Sequence, residues 1–212
     1  MALETLHFTN REEWLRGREN SIGGSDAAAV VGLSPWMSAT ELWEIKTGYK
    51  TQASITNESI ERGNLFEPAL RNLFQVKHPE YKHDYYQFDI FYQTERPWLT
   101  ATLDGLFTYD EAKHGILEIK TATMNNAAAW KKWDNAVPDG YYVQVLHQLL
   151  VTGFEKAVLF ACLFNLDNDM TVREYEFQRS DCESDMAWLL EKETEFWHKV
   201  QTRTMPNTML KL

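Results

Sequence analysis

The chain has 212 residues, of which 44% are apolar and 13% aromatic, enough for a sizeable core and too hydrophobic for a disordered or fibrous protein. No apolar run reaches the length of a membrane span, and Met1-Ala2-Leu3-Glu4-Thr5 lacks the basic and apolar segments of a secretory leader, so a location off the membrane is expected. Two isolated cysteines, Cys162 and Cys182, suit a reducing cytoplasm and exclude a cysteine zinc site, while a net charge of −10 runs against a surface that binds nucleic acid over its whole extent.

No repeat, low-complexity tract or linker divides the sequence, so residues 1–212 are expected to form a single domain. The first segment carries Trp14, Arg16 and Arg18, then Ser21-Ile22-Gly23-Gly24-Ser25-Asp26. Ser25 or Asp26 can cap a short helix over residues 27–31 that Gly32 ends, and two glycines before a cap residue make a setting friendly to anions. A helix over 39–47 follows, anchored by Leu42, Trp43 and Ile45 and stopped by Gly48; residues 49–60 are polar and read as a loop. The next helix, 64–76, points Leu65, Phe66, Ala69, Leu70, Leu73 and Phe74 at the core and carries Asn64, Glu67 and Arg71 on another stripe. Pro68 removes a backbone donor there, so the helix is expected to begin close to it or bend.

Strands are expected over 85–92, 99–107 and 115–121, the last two joined by a turn at 109–114. Residues 124–133 read as a helix or loop ending Trp130-Lys131-Lys132-Trp133, where lysines between tryptophans can meet phosphates and bases together. A turn-prone stretch leads to a strongly patterned helix, 141–152, closed by Gly153; Val145, Leu146, Leu149 and Leu150 face the core, and Tyr141, Gln144 and Gln148 form a polar stripe. Strands over 156–164 and 171–178 precede a long helix, 181–201, with Met186, Leu189, Leu190, Glu193, Trp197 and Val200 along one side. The order of elements predicts an α/β fold with a mixed central sheet flanked by helices.

The most informative residues are Asp104 and Glu118-Ile119-Lys120. Side chains at i and i+2 of a strand share a face, so Glu118 and Lys120 project together while Leu117 and Ile119 turn into apolar packing. A neighbouring strand that ends at Asp104 can bring a second carboxylate beside Glu118. Charges within an apolar strand are normally paired or bound to metal, and two carboxylates with a lysine suit a hard divalent cation and the phosphate or water it activates. Oxygen ligands select Mg²⁺ or Mn²⁺ over zinc. His78, His83, His114 and His147 lack metal-ligand spacing and read as structural or surface residues.

Taken together, from about Trp14 to Val151, these motifs resemble the phage-type alkaline exonucleases, the group of lambda exonuclease and the YqaJ-like viral recombinase nucleases. Ile22-Gly23-Gly24-Ser25-Asp26 with Gly32-Leu33-Ser34-Pro35 is similar to that family's N-terminal signature. Arg62-Gly63-Asn64 through Glu67-Pro68 resembles its acidic helix, Asp104-Gly105 with Glu118-Ile119-Lys120 its PD-(D/E)xK core, and residues 141–148 its glutamine-containing helix. The resemblance implies a Mg²⁺-dependent 5′→3′ exonuclease, Mn²⁺ substituting, that degrades one strand of linear duplex DNA and leaves 3′ single strands for recombination. It further implies that Asp104, Glu118 and the Ile119 carbonyl hold the metal, Glu67 assists, Lys120 orients or activates water, and Gln144 and Tyr141 lie near the scissile phosphate. Arg18 and Ser25, with Thr102, would receive a 5′-phosphate, and Lys131 and Lys132 would meet the DNA. A homo-trimer around DNA, a single-strand annealing protein as partner and a bacterial or phage-infected host cytoplasm are implied in the same way. Leu103 replaces the proline of the family name, and Leu146 replaces a second glutamine, leaving the part played by Gln148 open. An endonuclease with the same core, or a DNA-end-binding protein without catalysis, are the alternative readings.

Overall fold

The computed structural model describes residues 2–51, 57–110 and 112–206. In chain order, β1 (Leu3–His7) leads to four helices: α1 (Arg11–Glu19), α2 (Gly24–Val30), α3 (Ala39–Lys46) and α4 (Glu58–Lys77). Five strands follow: β2 (Lys82–Asp84), β3 (Asp89–Gln93), β4 (Arg96–Ala101), β5 (Gly105–Tyr109) and β6 (Lys113–Thr123). Then come α5 (Ala127–Lys131), α6 (Asp139–Thr152), β7 (Lys156–Phe164), β8 (Met170–Gln178) and, after a 3₁₀ turn at Arg179–Asp181, α7 (Glu183–Gln201).

Five strands form a mixed sheet in the order β2-β5-β6-β7-β8, in which only β6 and β7 run parallel. That parallel pair requires a crossover, and the crossover carries α5 and α6 onto one face. Ile116, Leu159 and Ala161 pack there with Val145, Leu146 and Leu149 of α6 and with Met186 and Leu189 of α7. On the opposite face Leu117, Ile119, Val158 and Phe160 meet Leu70 and Phe74 of α4. The alternation expected along β6 is thus realised, with Leu117 and Ile119 on the apolar side. An antiparallel sheet of three strands, β1-β3-β4, lies beside it, and α2, α3 and the end of α7 share a further core around Ile22, Trp43 and Phe196.

The α/β class and the mixed sheet agree with the sequence; the main departures concern where strands break. The stretch expected as a strand over 85–92 is strand only from Asp89, with β2 lying before it, the stretch over 99–107 is divided between β4 and β5, and the chain moves between sheets: β2 and β5 belong to the larger, β3 and β4 to the smaller. Phe88 adopts a left-handed φ of 68°, which no strand accommodates, and β3 starts after it. Between β4 and β5 the residues Thr102-Leu103-Asp104 are unpaired as strand, because the Asp104 carboxylate takes the Ile119 N–H that a longer β5 would bond.

Helix α4 begins at Glu58, within the expected loop, and runs through Pro68. Asn57 caps it by accepting the Ile60 N–H at 2.9 Å, and Leu70 and Phe74 anchor it. This register leaves Leu65, Ala69 and Leu73 exposed, against expectation. Residues 52–56 of the expected loop, and Glu111 of the expected turn at 109–114, lie outside the described residues. Gly153 ends α6 at φ 71°, as its position predicts. The sequence reading did not resolve β1 or α1. No helix among the described residues is long and apolar enough to cross a membrane.

Candidate active site

The gap between β4 and β5 builds the cleft. β5 pairs with β6 only from Gly105 opposite Leu117 onward, so the β6 backbone beyond Leu117 faces Asp104 instead of a strand. Asp104 Oδ2 accepts the Ile119 N–H at 2.8 Å. The N–H and C=O of one strand residue point to the same edge, so the Ile119 carbonyl also faces this gap. Glu118, on the adjacent face, is 1% exposed. Its Oε1 accepts from Gln144 Nε2 at 2.6 Å and pairs with Lys120 Nζ at 2.5 Å, and its Oε2 accepts from Gln148 Nε2 at 2.6 Å. Lys120 also lies 5.2 Å from the centre of the Tyr141 ring.

Negative charge is in excess here. Burial and the neighbouring Glu118 carboxylate push the Asp104 carboxyl well above the ordinary carboxylate range, with Lys120 pulling the other way. Burial disfavours the Lys120 ammonium, yet Glu118 and Asp104 outweigh it and raise its pKa. Lys120 is therefore a firm cation at neutral pH.

Glu67 belongs to the same region but is engaged elsewhere. Arg71 Nη2 reaches Glu67 Oε1 at 2.5 Å, Arg71 Nε donates to the Asp104 carbonyl at 2.6 Å, and the guanidinium lies 3.4 Å from the centre of the Tyr85 ring. Arg71 thereby ties α4 to the Asp104 turn. Among the described residues no three histidine, cysteine, aspartate or glutamate side chains are gathered as a metal cage. The donors the cleft does offer are Asp104, Glu118 and the Ile119 carbonyl, all oxygen, and the surplus negative charge at Asp104 fits a hard divalent cation.

Arg18 and Ser25 do meet: Arg18 Nη2 lies 3.4 Å from Ser25 Oγ. The guanidinium rests 4.5 Å from the centre of the Trp14 ring. Among the described residues it pairs with no carboxylate, since Asp26 pairs with Lys46 at 3.0 Å and accepts the Gly23 N–H at 3.1 Å. Burial lowers the Arg18 pKa, and Asp26 counteracts that. α2 has only seven residues and its entry is already capped by Asp26, so the positive charge here is that of the Arg18 side chain rather than of the helix end. Thr102 makes no bond to this pair; its carbonyl accepts from Gln148 at 3.2 Å, and it is Thr100 whose hydroxyl meets Ser21 at 2.9 Å beside the Arg18 backbone.

Lys131 and Lys132 are exposed at the end of α5. The tryptophans flanking them are not free platforms. Trp133 is 2% exposed within the main core, its carbonyl bonded by Arg173 and Tyr175, and Trp130 lies under the Arg173 guanidinium. Sequence reasoning missed Arg71 as a link to Asp104, although its spacing from Glu67 was visible. It also left Gln148 unassigned, and because it did not read α1 as a helix it missed that the four-residue spacing sets Trp14 beneath Arg18.

This is the geometry of a two-carboxylate, one-lysine cleft at a broken strand; comparison with known proteins gives the chain's family and fold. Residues 13–155 match the YqaJ-like viral recombinase domain, and the chain belongs to that family. It is 33% identical over 203 residues to the uncharacterized protein YqaJ of Bacillus subtilis (strain 168), covering 89% of this chain but only 56% of that protein's length. The fold is that of an alkaline exonuclease from Laribacter hongkongensis, with a TM-score of 0.66 at 17% identity over 92% of this chain and 94% of that one. A phage-related exonuclease from Haemophilus somnus 129PT also matches, with a TM-score of 0.52 at 13% identity over 86% and 96% of the two chains.

Proposed function

We propose that the protein is a metal-dependent deoxyribonuclease that degrades one strand of linear duplex DNA from its 5′ end. The observation that carries the reading is the convergence of Asp104, Glu118 and Lys120 on the open edge of β6. Family membership and the fold shared with an alkaline exonuclease, one also solved with dAMP, support the substrate class.

Asp104, Glu118 and the Ile119 carbonyl would hold Mg²⁺ or Mn²⁺, with Glu67 nearby. The bound ion would polarise a phosphoryl oxygen and lower the pKa of the attacking water. Gln144 and Gln148 orient Glu118 by donating one N–H to each of its oxygens. Lys120, kept protonated by its two carboxylate neighbours, serves as a donor and counter-charge to the reacting phosphate rather than as a base. Arg18 and Ser25 would receive a terminal 5′-phosphate, the guanidinium supplying two parallel donors. Exposed Lys131 and Lys132 would track the phosphate backbone, which gives an acidic chain a local path for DNA. A trimer encircling the duplex and a single-strand annealing partner complete the proposal, resting on the family resemblance alone.

The test is digestion of linear against circular duplex, with 5′-phosphate and 5′-hydroxyl ends, in Mg²⁺ and in chelator. Metal-dependent loss of linear DNA with preference for 5′-phosphate supports the reading. Equal attack on circles and on both ends would favour an endonuclease.

A further inference from the structure

The open edge of β4 runs toward Asp104. β4 is the outer strand of its sheet, so its outward backbone groups need partners from elsewhere. Ile22 supplies the first two: its N–H donates to the Trp98 carbonyl at 2.7 Å, and its carbonyl accepts the Thr100 N–H at 2.9 Å. The chain then turns into α2 and offers no more. The Thr100 carbonyl instead accepts from His147 Nε2 at 2.7 Å, and the Thr102 carbonyl from Gln148 Nε2 at 3.2 Å. Two residues further along lies Asp104.

We propose that His147 and Gln148 are positioning residues, two neighbouring side chains of α6 that replace a missing strand along β4 and so set where Asp104 and Glu118 stand. The proposal rests on the metal-dependent reading of the cleft and adds to it His147 and, for Gln148, the bond to the Thr102 carbonyl. A carbonyl only accepts, so Nε2 of His147 must carry a proton; its Nδ1 meets Glu193 Oε1 at 2.6 Å, with both side chains 0% exposed. The ring therefore has one orientation available. Gln148 points its NH₂ at two acceptors, Thr102 O and Glu118 Oε2, and leaves its own Oε1 buried without a partner. Leaving that atom unmatched inside the protein makes sense if the two donated bonds are what the position demands. Gly24 keeps the arrangement tight, since a Cβ there would come within 3.3 Å of Gln144 Cγ and 3.7 Å of both Gln148 Cγ and His147 Cδ2.

Three variants separate this from a merely structural role: Gln148→Met, the pair His147→Met with Glu193→Gln, and the pair His147→Gln with Glu193→Gln. Neither pair keeps the Glu193 carboxylate, and they differ in whether residue 147 can donate to Thr100. The readouts are hydrogen exchange of the Ile119 amide in metal-free protein, Mn²⁺ affinity by calorimetry, and kcat and KM on linear duplex. Gln148→Met and the Met pair should exchange Ile119 faster, bind Mn²⁺ about tenfold or more weakly, and lose kcat with little change in KM. The Gln pair should remain close to the parent in all three. Parent-like Ile119 exchange and Mn²⁺ affinity in Gln148→Met would overturn the proposal, and this variant decides alone if the Met pair does not fold. Exchange is read without metal or DNA. A parent protein that neither binds Mn²⁺ nor cleaves DNA would end the nuclease reading, while the Ile119 comparison would still judge this one.

Discussion

Among the described residues two glutamates are buried, and they are treated differently. Glu193, on α7, faces a single histidine, and burial of the His147 imidazolium is outweighed by that carboxylate, which raises its pKa. One charge answers the other. Glu118 is ringed by Lys120, Gln144 and Gln148, yet Asp104 stands close enough for its own carboxyl to be pushed upward. The interior pair is neutral and closed; the cleft is over-supplied with negative charge and opens in the gap before the start of β5. A buried carboxylate balanced one-to-one has a structural part to play, whereas a pair of carboxylates sharing one lysine calls for a further cation.

The largest effect that would break this contrast is at the cleft. Asp104→Asn should abolish metal-dependent cleavage while metal-free melting stays at or above the parent value, because it removes one of two like charges and keeps an oxygen for the Ile119 N–H. Glu118→Gln should abolish cleavage too, but at a cost in melting temperature, because Lys120 and two glutamine donors lose their carboxylate. Glu193→Leu should do the reverse of Asp104→Asn in the fold, costing about 3–5 kcal/mol in urea unfolding because a buried imidazolium loses its partner. Lys120→Ala should slow hydrolysis by roughly a hundredfold with divalent-ion affinity, measured by calorimetry, little changed. A fall in substrate affinity alone would reassign Lys120 to binding.

Arg18→Ala has a narrower signature. It should slow digestion of 5′-phosphorylated ends and leave 5′-hydroxyl ends nearly untouched, collapsing the ratio between them in a side-by-side assay. The smallest effect is in pH dependence. His147 has a folded pKa above its unfolded value, so its contribution to stability is fully present below about pH 6.5 and is lost as pH rises through the folded pKa. Urea midpoints should therefore decline on that alkaline side in the parent and lose that component in the His147→Gln, Glu193→Gln pair.

Much of this was legible because it depends on local periodicity. The two-residue repeat of β6 placed Glu118 and Lys120 on one face and Leu117 and Ile119 on the other, and the helical repeat of α6 put Gln144 and Gln148 toward the cleft. What the sequence concealed was set at a distance. The break within 99–107 was marked only by Asp104-Gly105, and what makes it, the Asp104 carboxylate bonding an amide on another strand, lies outside any local pattern. Glu193 was visible as an acid on an apolar helix face, but its partner is on α6, 46 positions away. The tryptophans beside Lys131 and Lys132 looked available for stacking; Trp133 is instead held in the core by contacts from β8.

The most direct test of the central claim is Mg²⁺-dependent digestion of a linear 5′-phosphorylated duplex by the parent and by Asp104→Asn, both checked by melting. The account predicts digestion by the parent only with the divalent ion, and none by a variant that melts at or above the parent temperature. Cleavage by Asp104→Asn at the parent rate, or parent activity undiminished in chelator, would contradict it.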